Sequence, residues 1–277
     1  MTPREGVSVA IITKNEERNL DRCLRSVGWA EQIVVVDSGS TDRTREVAAR
    51  HGVEVHVRAW PGFVEQWNFA IGKASQPWVL VLAADEWLSD AVAEEIRATL
   101  CGPRADAYEI RRSTAFSGAF VGRAWGPDWQ LRLFRRGRGR FAGGHVHESV
   151  RLDPGCRVER LRGALLHLTY RSVREYIDRM NRYTDLAAAT MAEEGRGFSV
   201  LDVLVRPPAS FVKHYVMRRG FEDGMRGLVV SAGAAFYVFL KLAKRWEMGR
   251  VANPEFLAAA GSTPEDPDPD SVPTGQM

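Results

Sequence analysis

At 277 residues the chain is long enough for one large domain, or for a domain with an appendage, and its apolar and charged fractions are ordinary for a globular protein. The formal net charge of +3 is small, and we expect no nucleic-acid partner. The cysteines (Cys23, Cys101 and Cys156) are widely spaced and form no CxxC pair, which argues against a disulfide framework or a zinc knuckle and favours a reducing compartment.

The N-terminal segment does not have the charged-then-apolar layout of a signal peptide, and it already has the pattern of a strand. We therefore expect a cytosolic protein. Runs rich in Val, Ile and Leu predict strands at 7–13, 33–36, 53–57 and 78–82. Apolar spacing predicts a helix through Leu20, Leu24 and Val27, with Asn15 as its N-cap, and further helices at 43–50, 63–74 and 91–100. Such alternation predicts a doubly wound, mostly parallel sheet.

Acidic residues follow two of these predicted strands, at Asp37 and at Asp85-Glu86. The carboxyl ends of parallel strands are where open α/β sheets bind their ligands. Carboxylates there suit a hard cation such as Mg²⁺ or Mn²⁺ with a bound diphosphate. The alternative is that the acids only favour the N-termini of the following helices. The occurrence of acids after two strands of one sheet favours the ligand site.

The second region, from about residue 107, predicts a smaller mixed sheet, with strands at 107–112, 130–135 and 161–169. A loop rich in glycine and aromatic residues spans 116–129. Sixteen arginines, no lysine and six acidic residues lie between Arg111 and Arg182. Guanidinium groups bind oxyanions in a bidentate way, so this excess suits phosphates or anionic lipid headgroups. The alternative is a solvated basic face.

The C-terminal third predicts a helical extension. A helical pattern covers 172–194, Pro207-Pro208 is expected to break the chain, and basic residues precede an uncharged stretch at 228–240. That stretch is too short to span a bilayer, and it fits either a helix in the membrane interface or a buried helix. We divide the chain into a first half (1–105), a second half (106–170), the helical extension (171–250) and a disordered tail (251–277).

Four motifs together carry a resemblance to a known family. They are Thr13-Lys14-Asn15-Glu16, Asp37-Ser38-Gly39-Ser40-Thr41-Asp42, Ala84-Asp85-Glu86 and Val146-His147-Glu148. Over residues 7–247 the chain resembles family 2 glycosyltransferases of the GT-A fold, within the branch of lipopolysaccharide-core β-glucosyltransferases. The resemblance implies a GT-A-type, doubly wound α/β sheet and transfer of a sugar from a nucleotide-diphosphate donor, with a UDP-sugar favoured. It also implies that residues 1–105 form the nucleotide-sugar-binding half and residues 106–170 the acceptor-side half.

The resemblance also implies roles for individual residues. Asp37 would accept hydrogen bonds from the donor base, and Asp85 would coordinate Mg²⁺ or Mn²⁺ on the diphosphate. Glu148 would be the general base that deprotonates the acceptor hydroxyl, with inversion at the anomeric carbon. The remaining residues expected at the nucleotide are Thr13, Asn15, Glu16, Ser38, Ala83 and Ala84.

One position departs from the family pattern. The first acid of the family's Asp-x-Asp motif is replaced by Ala83. If Asp85 is sufficient for the metal, activity survives with weaker donor binding. If both acids are needed, the protein is a catalytically weakened sugar-nucleotide binder or a scaffold of glycan assembly.

Further side chains are candidates for diphosphate or acceptor contacts, namely Arg132, Arg135, Trp129 and His147. His167 lies on an apolar strand and is expected to be an interior histidine. A nucleotidyltransferase would need a glycine-rich, cationic loop after the first strand, which Lys14-Asn15-Glu16-Glu17 is not. The expected acceptor is a lipid-linked or lipopolysaccharide-core glycan, at the inner face of the cytoplasmic membrane.

Overall fold

The computed structural model describes residues 4–143 and 148–251. Its strands are β1 (Val7–Thr13), β2 (Gln32–Asp37), β3 (Glu54–Val57), β4 (Trp78–Ala83), β5 (Glu86–Leu88), β6 (Ala107–Phe116), β7 (Ala119–Val121), β8 (Asp128–Arg135), β9 (Gly139–Ala142), β10 (Ser149–Leu152) and β11 (Val158–Tyr170). Its α-helices are α1 (Leu20–Ser26), α2 (Thr44–Arg50), α3 (Phe63–Gly72), α4 (Asp90–Thr99), α5 (Val173–Glu193), α6 (Val200–Val212) and α7 (Gly224–Val251).

The first four strands form a parallel unit in the order β3-β2-β1-β4. Every residue of β1 is buried, because helices cover both faces of the sheet. Val9 and Ile11 pack with α1, α2 and α4 on one face, whereas Ala10 and Ile12 pack with α3 on the other. The predicted doubly wound α/β architecture is confirmed.

The later strands extend the same sheet beyond β4, in the order β8-β6-β11-β5, and β7 pairs with β6. β8 is antiparallel to both of its neighbours, while β6 and β11 are parallel. The smaller sheet within the described residues is the antiparallel pair of β9 and β10. The mixed strands therefore adjoin the parallel unit directly, and both belong to one hydrogen-bonded sheet.

Two local expectations are wrong. Asn15 does not cap α1, which begins at Leu20; it has a left-handed φ of 55°, and its side-chain oxygen accepts a hydrogen bond from the Thr41 N–H at 2.8 Å. Pro207 and Pro208 do not break the chain but lie inside α6. A proline removes one helical hydrogen bond, and packing of α6 along α7 offsets that loss.

Helix α7 is longer than the uncharged stretch that predicted it. Its segment Gly220–Gly249, counted with the preceding turn, is long and apolar enough to cross a membrane by those two criteria alone. Val230 and Leu242 are buried, whereas Phe236 and Phe239 are exposed. The helix thus has one face against the protein and one facing outward. The expected disordered tail lies outside the described residues, apart from Val251, and the four-part division of the chain stays a prediction.

A short turn, Gly220–Asp223, connects this extension to the sheet region. The Asp223 carboxylate accepts hydrogen bonds from three successive backbone N–H groups, those of Gly122, Arg123 and Ala124, at 2.8–3.1 Å. The turn also lies against α7 at Gly227, where a Cβ would be only 1.8 Å from the carbonyl oxygen of Gly220. Only glycine permits this approach of two backbones.

We predict that Gly227→Ala destabilises the protein by about 1–3 kcal/mol, because backbone atoms must move to admit the methyl group. Gly249→Ala is the matched control, since its added Cβ would have no atom nearer than 3.8 Å. That control should be neutral or stabilising by up to about 1 kcal/mol, as expected for alanine in a helix. Urea unfolding followed by circular dichroism measures both changes. Equal stability of the two variants would contradict the close contact.

Candidate functional site

A cavity of about 960 Å³ lies at the carboxyl ends of β1 and β4. Parallel pairing sets Ile12 beside Ala83 and Thr13 beside Asp37, so the residues that follow these strands meet at one edge of the sheet. Further walls come from β5, β6, β8, β9, β11, α3, α5 and the start of β10. The site predicted at this edge therefore corresponds to a large concave surface.

Most of the predicted site residues line this cavity. They are Thr13, Glu16, Ser38, Ala83, Ala84, Asp85, Trp129, Arg132 and Glu148. Asn15, Asp37 and Arg135 are not among the lining residues. His147 lies outside the described residues.

Asp37 is fully buried, and its carboxylate stabilises the turn that it begins. Its carboxylate accepts hydrogen bonds from the backbone N–H and the hydroxyl of Ser40, and the Arg45 guanidinium is 3.9 Å away. Gly39 has a φ of 80°, which this tight turn requires. The side chain of this motif that reaches the cavity is Ser38, whose hydroxyl accepts a hydrogen bond from Gln66 at 3.0 Å. Contact between Asp37 and a donor base stays a prediction.

Arg135 lies at the far end of the sheet from the cavity. β4 and β8 are antiparallel, with Trp78 opposite Arg135, so Arg135 is beside the start of β4 and Asp85 follows its end. There its guanidinium stacks on Trp78 and pairs with Glu5 at 3.0 Å. These contacts give Arg135 a structural role. Its position at the other end of the sheet provides no contact with a ligand in the cavity.

Asp85 pairs with His167, which sequence reasoning had placed in the interior. The two side chains are only 14% and 13% exposed, and Nε2 of the histidine is 3.2 Å from Oδ2 of Asp85. Both line the cavity. Burial raises the pKa of Asp85, but the charge and hydrogen bond of His167, with a smaller effect of Arg179, outweigh it, so that the pKa lies below the ordinary 3.8. Asp85 is thus held ionised at the cavity wall.

Glu16 faces the same region and has the opposite shift. Burial, followed by the negative charge of Asp85, raises the pKa of Glu16 above its ordinary value. A hydrogen bond from Asn19 and the charges of Arg179 and Arg171 partly counteract this rise. The cavity therefore contains two mutually repelling carboxyl groups, an arrangement that a cationic ligand would relieve.

Glu86, the residue after Asp85, is almost completely buried and organises the neighbouring wall. One of its oxygens accepts hydrogen bonds from Arg132 at 2.7 Å and from Arg112 at 3.3 Å. The other accepts the backbone N–H of Ala83 at 3.0 Å. Glu86 is therefore neutralised, and it fixes two guanidinium groups at the cavity.

Two polar atoms of the cavity wall have no hydrogen-bond partner among the described residues. They are the hydroxyl oxygen of Thr13 and Nε of Arg132, both buried. Buried polar groups are rarely left unpaired, because their desolvation costs about 1–3 kcal/mol each. A ligand with a hydrogen-bond acceptor for Arg132 and a hydrogen-bonding group for the Thr13 hydroxyl would satisfy both atoms.

Helix α5 contributes cavity residues that sequence reasoning missed. Arg179, Arg182 and Tyr183 line the cavity, and they follow the i, i+3, i+4 spacing of a single helical face. Arg171, just before the helix, donates a hydrogen bond to Asn19 at 2.7 Å and so links α5 to the loop after β1. The spacing of Arg179 and Arg182 was visible in the sequence, but the position of α5 over the cavity was not.

Comparison with known proteins decides the family. The sequence model described as Glycosyl transferase family 2 matches residues 8–151, more than half of the chain. The chain belongs to glycosyltransferase family 2. The lipopolysaccharide core biosynthesis glycosyltransferase LpsC of Rhizobium meliloti is 30% identical over 259 residues, which cover 89% of this chain and 94% of LpsC.

An uncharacterized glycosyltransferase of Rickettsia typhi is 31% identical over 254 residues, 87% of each chain. Among solved structures, the mannosyltransferase PcManGT of Pyrobaculum calidifontis superposes with a TM-score of 0.47 at 18% identity, over 94% of this chain and 80% of that one. The predicted family, and its lipopolysaccharide-core branch, are confirmed by the matches to the family and to LpsC.

We predict that His167→Ala raises the pKa of Asp85 in metal-free protein, because burial persists while the main opposing interaction is lost. In the native protein the depressed pKa stabilises the fold above pH 3.8, and this contribution is lost as the pH falls through the lower native pKa. His167→Ala should remove it. Carbon-13 NMR titration of the Asp85 carboxyl group measures the shift.

The matched control is His51→Ala. His51 holds Asp21 at 2.9 Å and lowers the pKa of that carboxyl group, away from the cavity. This substitution should raise the pKa of Asp21 and leave the titration of Asp85 unchanged. An Asp85 titration that is the same with and without His167 would contradict the pairing.

Proposed function

We propose that the protein is an inverting glycosyltransferase that moves a hexose from a UDP-sugar to a lipid-linked or lipopolysaccharide-core glycan. The observation that carries this proposal is the presence of Asp85 and Glu148 on the wall of one cavity, at the carboxyl ends of β1 and β4. The two carboxylates come from sequence positions more than sixty residues apart. Their shared cavity fits a reaction that needs one group for the leaving diphosphate and another for the acceptor.

The donor would bind across the ends of β1 and β4. Thr13, Glu16 and Ser38 border this part of the cavity and offer hydrogen-bonding groups to the base and ribose. The diphosphate would extend to Asp85 and toward Arg179 and Arg182. Guanidinium groups bind phosphate oxygens bidentately and stabilise the negative charge that develops on a leaving diphosphate.

A divalent metal fits this donor set. Asp85 supplies an oxygen, and His167, 3.2 Å away, would supply a nitrogen once its ring is neutral. No group of three or more His, Cys, Asp or Glu side chains that could hold a metal occurs within residues 4–143 and 148–251. Mg²⁺ and Mn²⁺ commonly take few protein ligands and complete their shell with phosphate and water. When bound, such an ion would neutralise charge on the diphosphate.

Glu148 is the proposed general base. Its carboxylate would accept the proton of the acceptor hydroxyl while that oxygen attacks the anomeric carbon from the face opposite the diphosphate. The new C–O bond forms as the bond to the diphosphate oxygen breaks, which inverts the configuration. Trp129, on the same wall, offers an apolar ring face beside which a sugar could stack.

The acceptor class rests on two observations. LpsC, a relative over most of its length, is named for lipopolysaccharide core biosynthesis. The outward face of α7 carries aromatic residues such as Phe236 and Phe239, which suits a helix in the membrane interface. We therefore propose a cytoplasmic protein, peripheral on the inner face of the cytoplasmic membrane.

A second candidate function is a catalytically weakened sugar-nucleotide binder or a scaffold of glycan assembly. Ala83 favours it, because the position of the family's first acid carries a methyl group at the cavity wall. Glu86 does not replace that acid, since its carboxylate is already paired with Arg112 and Arg132. Turnover of donor in the presence of acceptor separates the two functions.

For the donor, we expect UDP and UDP-glucose to bind in calorimetric titrations with Mn²⁺ and to bind at least about tenfold more weakly with EDTA. Asp85→Ala should abolish the effect of the metal, because it removes the anionic ligand. Asp90→Ala, an exposed acid on α4, is the matched control. Binding indifferent to both metal and Asp85 would support the scaffold function, and absence of nucleotide binding would exclude a donor site.

For the base, Glu148→Gln should lower kcat by about 10²–10⁴-fold and leave donor affinity unchanged, because the amide cannot accept the proton. The assay is UDP release from UDP-glucose in the presence of membranes that carry truncated lipopolysaccharide. Glu46→Gln, an exposed residue of α2, serves as the control. Equal turnover by Glu148→Gln and the native protein would assign the base to another residue.

A further inference from the structure

A second cavity, of about 510 Å³, lies between β6, the loop after β7 and the turn that follows α6. Its lining includes Arg111, Arg112, Arg123 and Arg218, and no Asp or Glu of the described residues. We call it the arginine cavity. Its arginines come from three separate parts of the chain, so the fold concentrates positive charge that the sequence distributes.

The arginines of this cavity differ in their partners. Arg112 is neutralised by Glu86 and by Asp128, and Arg123 pairs with Glu222 at 2.8 Å. Arg111 and Arg218 form no ion pair or side-chain hydrogen bond with the described residues. Two guanidinium groups therefore remain available to an anion.

The wall of the arginine cavity is held in place. The loop that carries Arg123 donates three backbone N–H groups to Asp223, the last residue of the turn before α7. Gly126 approaches the carbonyl of Gly122 so closely that an added Cβ would be 2.1 Å from its oxygen. These contacts fix the loop, so one wall of the arginine cavity has a defined shape, and the exposed Arg111 and Arg218 lie on its other walls.

An exposed apolar surface borders the arginine cavity. Met217, which lines the cavity, is 75% exposed, and Val216 beside it is 53% exposed. The surface continues along α6, where no residue is buried and Leu201 and Leu204 are each more than 60% exposed. Apolar side chains this exposed beside free guanidinium groups complement an amphiphile, a molecule with an anionic head and a hydrocarbon portion.

We propose that the arginine cavity binds a phosphate group of the acceptor, and that this phosphate belongs to a membrane lipid whose apolar part contacts the exposed face of α6 and the adjoining turn. Arg111 and Arg218 bind the phosphate oxygens, and Met217 lies at the boundary with the hydrocarbon. The assignment as acceptor rests on the proposed function, whereas phosphate binding itself does not.

The location of the arginine cavity relative to the donor site supports this assignment. Arg112 lines both cavities, so a single molecule can have its phosphate in one and extend toward Asp85 and Glu148 in the other. A phosphate bound beside Arg112 would fix the position of the acceptor relative to the general base. Binding energy remote from the reacting atoms would thereby orient the attacking hydroxyl.

The test uses the full chain and vesicles of phosphatidylcholine with a minor fraction of phosphatidic acid, whose headgroup is a phosphate ester. The double variant Arg111→Gln/Arg218→Gln should bind these vesicles about tenfold or more weakly than the native protein. The matched control is Arg50→Gln/Arg104→Gln, which removes the same charge from exposed positions outside both cavities. It should bind vesicles like the native protein. An equal loss in both double variants, or in neither, would overturn the proposal.

Further measurements distinguish a lipid phosphate from a soluble phosphate ester as the ligand. Met217→Ser should weaken vesicle binding, and soluble glycerol 3-phosphate should compete only weakly with vesicles. Glycerol 3-phosphate that binds as tightly as the vesicles, and loses that affinity in Arg111→Gln/Arg218→Gln, would overturn the lipid source. UDP titration of the same variant should match the native protein. Failure of UDP to bind the native protein would remove the donor site while leaving the vesicle result intact.

Discussion

Both cavities depend on the ion pairs that the buried Glu86 carboxylate forms with two arginines. A charge removed from water is costly unless it is paired, and Glu86 is paired with Arg112 and Arg132 and accepts a backbone N–H. The same contacts hold Arg132 at the donor cavity and Arg112 between the two cavities. Truncation of Glu86 would leave the buried Arg132 without its charged partner and Arg112 with Asp128 alone, so the effect would extend beyond one residue.

The sequence predicted most of the fold because its strands are buried on both faces and read as continuous apolar runs. β1 has the predicted bounds, 7–13, and β4 extends one residue beyond the predicted 78–82. The prediction at Pro207-Pro208 was wrong, since local propensity favours a break and contact with α7 prevails. The failure of Asn15 to cap α1 has a similar origin. Its side chain accepts a hydrogen bond from Thr41, which is more than twenty residues away in the chain, so no local pattern predicts the contact.

For the site, the sequence predicted the sheet edge but not its partners. Thr13 ends β1 and Asp85 follows β4, so parallel pairing alone brings them together. His167 and Arg179 come from β11 and α5, whose positions over that edge depend on the order of strands in the mixed part of the sheet. A histidine on an apolar strand gives no local signal of a carboxylate opposite it. Tertiary arrangement was needed to find the Asp85–His167 pair.

The bond between Asp223 and the loop of residues 122–124 has a consequence for the order of folding. About a hundred residues separate the carboxylate from the amides that it accepts, whereas strands β1 to β4 lie within the first 83 residues of the chain. During synthesis the parallel unit can pair first, since its contacts are nearer in sequence. The loop can lock only after the ribosome has released residue 223. The parallel unit is therefore assembled early, and the contact between Asp223 and this loop is among the last that the nascent chain completes.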